Sequence, residues 1–308
     1  MDRHELLRRI TTFPLAARDL AEDLLSGDFR SIFRGEGIEF DEVRHYEIGD
    51  DVRSIDWNVS ARFGTPYVKL YREERELTVC IVLDESPSMR ALCSGGTDDS
   101  ASSSVLPNRY EQAVLAAALT AFSAERAGQR VGAVFFDRDI SHVFSPRKGR
   151  SHIMAILGAA LNPPVYALDG YTESRAGSNL GAALSGAGRL LKRRSLVVII
   201  SDFLSVNWER ELGDLSRKHD VIAIRVGDPL DTDLLKGGLL TLRDPETGLS
   251  IRAPTTFASL RSAWVEWHED RGRSWQAICR RAGAATLELS TAEGAPQALR
   301  RFFGRRRR

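Results

Sequence analysis

The chain has 308 residues, 43% hydrophobic and 28% charged, with a formal net charge of +1. That is the mixture of an ordinary soluble globular protein, long enough for one large domain or two modest ones and for a sizeable core. Near-neutral charge excludes a broad electrostatic attraction to nucleic acid or acidic lipid and leaves only local patches. Cys80, Cys93 and Cys279 have no metal-ligand spacing and are too few for a disulfide framework, so reduced cytoplasmic thiols are expected. The opening Met1-Asp2-Arg3-His4-Glu5 is too charged for a secretory signal. The longest apolar stretch, residues 113–122, falls short of the ~20 residues that span a bilayer, so no membrane span is expected.

In chain order, residues 6–25 carry apolar positions at helical spacing, interrupted at Pro14 and ending at Gly27. From residue 35 to 76, charges of both signs alternate with single aromatics. Arg44, Arg53 and Arg62 among Asp50, Asp51 and Asp56 suggest an ion-pair network fixing a compact, non-helical unit, with Trp57 as its anchor. The string Tyr67-Val68-Lys69-Leu70-Tyr71 alternates like a half-exposed strand and is expected to pair at an edge of the main sheet.

A recurring unit follows. Four apolar runs each end in an aspartate: residues 78–83 before Asp84, 131–136 before Asp137, 196–201 before Asp202, and 221–227 before Asp228. Runs without alternation are the pattern of strands buried on both faces, as in parallel sheets. Helical patterns at 110–127, 179–193 and 208–218 separate them, which indicates βαβ units in an open α/β sheet. Ligands bind such sheets outside the carboxyl ends of the strands, where all four aspartates are expected. Beyond them lie a Ser/Gly/Asp-rich insertion at 94–108 and a hairpin turning at Asp244-Pro245-Glu246-Thr247-Gly248. A helix at 257–281, a strand at 286–289 and a helix at 296–303 precede a basic tail, residues 305–308.

The chemistry concentrates in Asp84-Glu85-Ser86-Pro87-Ser88, directly after a buried strand. A carboxylate followed by two hydroxyls at alternate positions turns three hard oxygens toward one point, which suits Mg²⁺, Mn²⁺ or Ca²⁺ and not zinc. The plainer reading is a strand-to-helix turn whose Asp and Ser side chains cap backbone N–H groups. Asp202, ending another buried strand, and Ser178, at a helix start, add oxygens on the same edge and favour the metal. Asp137 and Asp228 read as caps or supporting groups.

Asp-x-Ser-x-Ser, a later hydroxyl in a Gly-Ser-Asn-Leu setting and an Asp after an apolar strand together resemble the metal-ion-dependent adhesion site of von Willebrand factor A domains. The resemblance implies a doubly wound, mostly parallel sheet and a site of Asp84, Ser86, Ser88, Ser178 and Asp202. Ser178 stands where that family has Thr, with Thr172 as the other candidate donor. Residues 35–76 carry a second signature: Gly49-Asp50-Asp51-Val52-Arg53-Ser54-Ile55-Asp56-Trp57, with Arg44-His45-Tyr46 before it and Ser60-Ala61-Arg62 and Tyr67-Val68-Lys69 after it. This resembles the family catalogued as domain of unknown function 58, whose members join such a segment to a von Willebrand A-like domain. That resemblance implies three parts: an N-terminal helix and signature segment (1–76), the α/β domain (77–304) and the tail (305–308). It also implies association with a MoxR-type AAA+ ATPase. The expected function is therefore a metal-dependent protein-interaction module, an adaptor in assembly or maturation of other proteins.

Two rivals are weaker. A Mg²⁺-dependent hydrolase or phosphotransferase also suits aspartates at strand ends. Yet Glu85 and Ser86 follow Asp84, giving no Asp-x-Asp pair, and no phosphate loop or Gly-x-Ser-x-Gly elbow is present. A nucleic-acid binder rests on Arg300, Arg301 and the tail alone, without a stacking platform. Trp264, Trp267 and Trp275 recur at roughly helical spacing and read first as a packing face, second as a partner surface.

Overall fold

The computed structural model describes residues 39–72, 77–91, 108–163, 177–234 and 236–305. They fall into two compact units divided between residues 76 and 77. The helix expected at 6–25, nearly all of the insertion at 94–108, Cys93 and Thr172 lie outside the described residues.

In the smaller unit, β1 (Glu39–His45) pairs antiparallel with β2 (Tyr67–Arg72), His45 opposite Tyr67 and Phe40 opposite Tyr71. The alternating Tyr67 stretch thus finds its partner in this two-stranded sheet and not at an edge of the main one. Between the strands lie a 3-10 turn (Val52–Ser54) and α1 (Trp57–Phe63), so the unit is not free of helix. Both begin at an aspartate of the signature. Asp51 accepts from the Arg53 N–H at 2.9 Å, and Asp56 accepts from Asn58 and Val59 N–H at 2.9 and 3.2 Å. Those two acids serve the backbone. Of the expected ion pairs, Arg44 donates to Asp50 at 2.7 Å and also lies 3.8 Å from Glu47. Trp57, expected as an anchor, is 69% exposed.

The larger unit runs β3 (Thr78–Asp84), α2 (Pro87–Arg90), α3 (Arg109–Arg126), β4 (Arg130–Phe136), β5 (Ile140–Arg147), α4 (Arg150–Ala160), α5 (Leu180–Leu190), β6 (Leu196–Ser201), α6 (Glu209–Ser216), β7 (Asp220–Gly227), α7 (Pro229–Thr232), β8 (Leu239–Arg243), β9 (Ser250–Pro254), α8 (Ala258–Ala282), β10 (Ala285–Ser290) and α9 (Ala295–Arg305). The six-stranded sheet has the order β10-β7-β6-β3-β4-β5. All neighbours are parallel except β4 and β5. Every residue of β6, and all but the first of β3 and β4, is buried, as the unbroken apolar runs require.

Strand alternation sorts the core. Cys80 and Val82 of β3 join Leu180, Ala183, Leu184, Leu212 and Trp275 in one cluster, packed under α5, α6 and α8. Helix α3 packs against β3, β4, β6 and β7, with α4 and α9 beside it. Both described cysteines are buried and free, and burial pushes each thiol up to about 12. Of the three tryptophans on α8, Trp275 is core, Trp264 donates to the Leu230 carbonyl at 2.9 Å, and Trp267 is 48% exposed beneath the Arg271 guanidinium.

Residues 140–160 carry a strand and a helix that the sequence pattern does not announce. β5 is an antiparallel edge strand in which half-buried and exposed residues alternate, and its register with β4 slips between Val131 and Ala133. At that slip the β5 backbone crosses Gly132 closely. A Cβ there would meet the Phe144 carbonyl oxygen at 2.9 Å and Pro146 Cγ at 3.0 Å. Gly132→Ala is therefore expected to lower the unfolding free energy by about 1–3 kcal/mol in chemical denaturation. An unchanged midpoint would mean that β5 shifts without cost.

Candidate metal centre

In-register pairing aligns the carboxyl ends of the central strands. Asp84 lies opposite Phe136, Leu83 opposite Ile200, and Ser201 opposite Arg225. Asp84, Asp137, Asp202 and Asp228 consequently follow one carboxyl edge. They do different things there. Asp228 accepts from the Leu230 N–H at 3.0 Å and from Thr291 Oγ1 at 2.9 Å, a helix cap with both oxygens used. Asp137 is buried, and its carbonyl fixes the start of α5 by accepting from the Asn179 N–H at 2.7 Å.

Asp84 is fully buried. Its Oδ1 accepts from the Ser86 N–H at 2.9 Å, and its Oδ2 accepts from Ser201 Oγ at 2.6 Å. Ser86 stands at the N-cap position of α2, yet its hydroxyl caps nothing. Its Oγ instead lies 2.9 Å from Ser88 Oγ, and both side chains are buried. The plain capping account therefore holds for the Asp84 carboxylate and fails for the two hydroxyls.

Asp202 is buried with Oδ1 accepting from the Leu204 N–H at 3.0 Å, while its Oδ2 is buried without a hydrogen-bond partner. Phe203, next in the chain, has φ 55, a left-handed conformation that a bulky residue adopts only when its surroundings hold it. Its ring packs 5.3 Å from Trp208 and 5.5 Å from Trp275, and its N–H donates to Ser201 Oγ at 2.9 Å. Aromatic packing thereby fixes the turn that orients Asp202.

Burial pushes the Asp84 carboxyl up to about 8, and the Asp202 charge adds to that rise against the lowering effect of Ser201 and Ser86. Two carboxylates sharing a buried edge, one oxygen unpartnered, make an electrostatically incomplete site. Arg271 senses the Asp202 charge but donates to the Phe203 carbonyl at 3.3 Å. Among the described residues, no group of three or more His, Cys, Asp or Glu side chains is placed to hold a metal ion. A cation here would rest on two carboxylates, hydroxyls and water, which is the chemistry of Mg²⁺, Mn²⁺ or Ca²⁺. The donor set fits that class of ion.

Ser178 is half-buried, and its Oγ lies 2.5 Å from Ser205 Oγ, three residues past Asp202. It is thus tied to the Asp202 loop, and no hydrogen bond joins it to Asp84, Ser86 or Ser88. Two further residues belong to the site. Ser201 holds Asp84 directly. Glu246, at the tip of the β8–β9 hairpin, accepts from the Ser88 N–H at 3.0 Å. Ser201 was legible as the residue before Asp202. No sequence signal places Glu246, because its contact spans 158 positions.

The family described as Protein of unknown function DUF58 matches residues 42–273. The chain belongs to this family. It is 31% identical over 314 residues to the uncharacterized protein Mb1516 of Mycobacterium bovis and to the uncharacterized protein Rv1480 of Mycobacterium tuberculosis, covering 100% of this chain and 92% of each relative. Among solved structures, similarity extends to an aerotolerance-related membrane protein from Bacteroides fragilis (19% identity, TM-score 0.43, 74% of this chain and 99% of that one). It extends also to the conserved hypothetical protein BatB from Bacteroides thetaiotaomicron (18%, TM-score 0.43, 75% and 98%). Among the described residues no helix is long and apolar enough to cross a membrane. The DUF58 match spans Asp84, Ser86, Ser88, Ser178, Asp202 and Glu246 together.

The raised Asp84 proton affinity has a measurable sign. Because the folded carboxyl titrates near 8 and the unfolded one near 3.8, its contribution is fully present below the unfolded value and is lost as pH rises through the folded value. In chelator-treated protein, Asp84→Asn is therefore expected to gain stability over wild type, by roughly 2–5 kcal/mol, as pH rises across that window. Urea denaturation at both ends of the window checks it. A difference independent of pH would show that Asp84 does not ionise at cost.

Proposed function

We propose that the larger unit is a von Willebrand factor A-like domain acting as a metal-dependent protein-interaction module. On this reading Asp84, Ser86, Ser88 and Asp202, with Ser178 as the third-loop hydroxyl, hold Mg²⁺, Mn²⁺ or Ca²⁺. The observation that carries the reading is the buried Asp84–Asp202 edge, where Asp202 Oδ2 has no partner and the Ser86 and Ser88 hydroxyls cap nothing. A bound divalent ion would supply positive charge and an exchangeable position for an acidic group of a protein partner. The chain's own contribution is rigidity. Ser201 and the Ser86 N–H fix both Asp84 oxygens, and the Phe203 turn fixes Asp202.

The resemblance to domain of unknown function 58 proteins extends the proposal: the chain works as a cytoplasmic adaptor with a MoxR-type AAA+ ATPase, in assembly or maturation of client proteins. Free, buried Cys80 and Cys279 agree with a reducing compartment.

Mg²⁺ or Mn²⁺ at about 100 times its Kd is expected to stabilise the protein by ~2.7 kcal/mol, since only the native state binds it. Thermal melts should show that gain in wild type and none in Asp84→Ala. Pull-down from native lysate should recover a MoxR-like ATPase with Mg²⁺ present, and not with chelator or with Ser86→Ala/Ser88→Ala protein. Equal melting shifts in wild type and Asp84→Ala would remove these residues from the site.

A further inference from the structure

The hairpin carrying Glu246 is an unusual neighbour for a buried site. β8 and β9 pair only with each other. Of their residues only Ala253 is buried, while Leu239 and Ile251, and Leu249 just before β9, are each more than 60% exposed. A two-stranded ribbon with so little burial has small stability of its own. Its base is clamped: Thr255, fully buried, donates its N–H to the Gly238 carbonyl at 2.7 Å and accepts from the Gly237 N–H at 3.1 Å. Its turn is pre-formed by Asp244, which accepts from the Glu246 N–H at 2.9 Å and from Thr247 Oγ1 at 2.6 Å.

At the tip, Glu246 points the wrong way for an ordinary turn acid. A carboxylate on an exposed turn has open water available, yet this one is half-buried against Ser88. No Lys, Arg or His pairs with it among the described residues. The Ser88 N–H and hydroxyl that meet it are neutral donors, and they leave this further carboxylate without a compensating positive charge beside Asp202. A divalent cation among those oxygens removes the conflict.

We propose that Glu246 is the chain's own acidic ligand for this site, seated where a partner's acidic side chain binds, so that a partner engages by displacing the hairpin tip. The inference rests on the metal reading above. It makes the hairpin a built-in competitor: the resting domain satisfies its ion internally, and only an acid presented with further contacts outcompetes it.

Mn²⁺ is the probe, added to chelator-stripped full-length protein, with affinity read by calorimetry and ion-bound water by proton relaxation. Glu246→Gln keeps the shape of the tip and is expected to bind Mn²⁺ about tenfold more weakly. Each bound Mn²⁺ should then relax water faster than in wild type, because a water takes the vacated position. Glu246→Asp, shorter by one methylene, is expected to fall between the two. Equal affinity and equal relaxation in wild type and Glu246→Gln, with binding still lost in Asp84→Ala, would overturn the role of Glu246 and leave the site standing. Mn²⁺ binding absent from wild type, or unaffected by Asp84→Ala, would overturn the site and this inference together.

Discussion

Asp84 closes the β3 strand, flanked by parallel partners on both sides, and parallel pairing buries a strand end as thoroughly as its middle. A carboxylate there loses its hydration and must be compensated by whatever the neighbouring strand ends provide. β6 provides one donor and one further acid: Ser201 reaches Asp84 Oδ2, and Asp202 raises its proton affinity. The Ser86 N–H takes the other oxygen. The left-handed Phe203, wedged between Trp208 and Trp275, turns the chain after Asp202.

The next residue shows how sharply alternation divides chemistry from architecture. Glu85 is as buried as Asp84, but it receives Tyr110 Oη at 3.2 Å and Ser141 Oγ at 2.7 Å. Ser141 serves one of its oxygens, and the Tyr110 hydroxyl is shared between the other and the Ala160 carbonyl at 2.7 Å, so Glu85 ties β3 to α3 and β5. Asp228 is likewise fully used as a cap. What sets Asp202 apart from Glu85 and Asp228 is a buried oxygen, Oδ2, that no donor meets.

The parallel core was legible because its strands are buried on both faces, and such runs admit few other readings. β5 was hidden for the opposite reason: as an edge strand it needs only alternate residues half-buried, a pattern that loops also produce. In the smaller unit, the Asp-rich signature reads as ion pairing when position is unknown. Capping and pairing use the same residue types, and only the backbone shows that Asp51 and Asp56 are caps. The placement of Asp84 and Asp202 at one carboxyl edge was legible because each ends a recognisable apolar run. Glu246 was not, because its relevance depends on where a hairpin tip lands.

Charge bookkeeping then constrains how such an edge can work. On the proposed reading, Asp84 and Asp202 would bring two unit negative charges to one divalent ion, while Ser86 and Ser88 would contribute oxygens without charge. One more carboxylate leaves a single excess negative charge at the rim of the sheet, where water screens part of it. A second would have to be placed against that excess and beside the buried Asp137. Glu246 and an acid from a partner are therefore alternatives on the proposed reading and not companions. On that reading selectivity would pass from the ion, which accepts any carboxylate, to the surroundings of the hairpin that would make its displacement favourable.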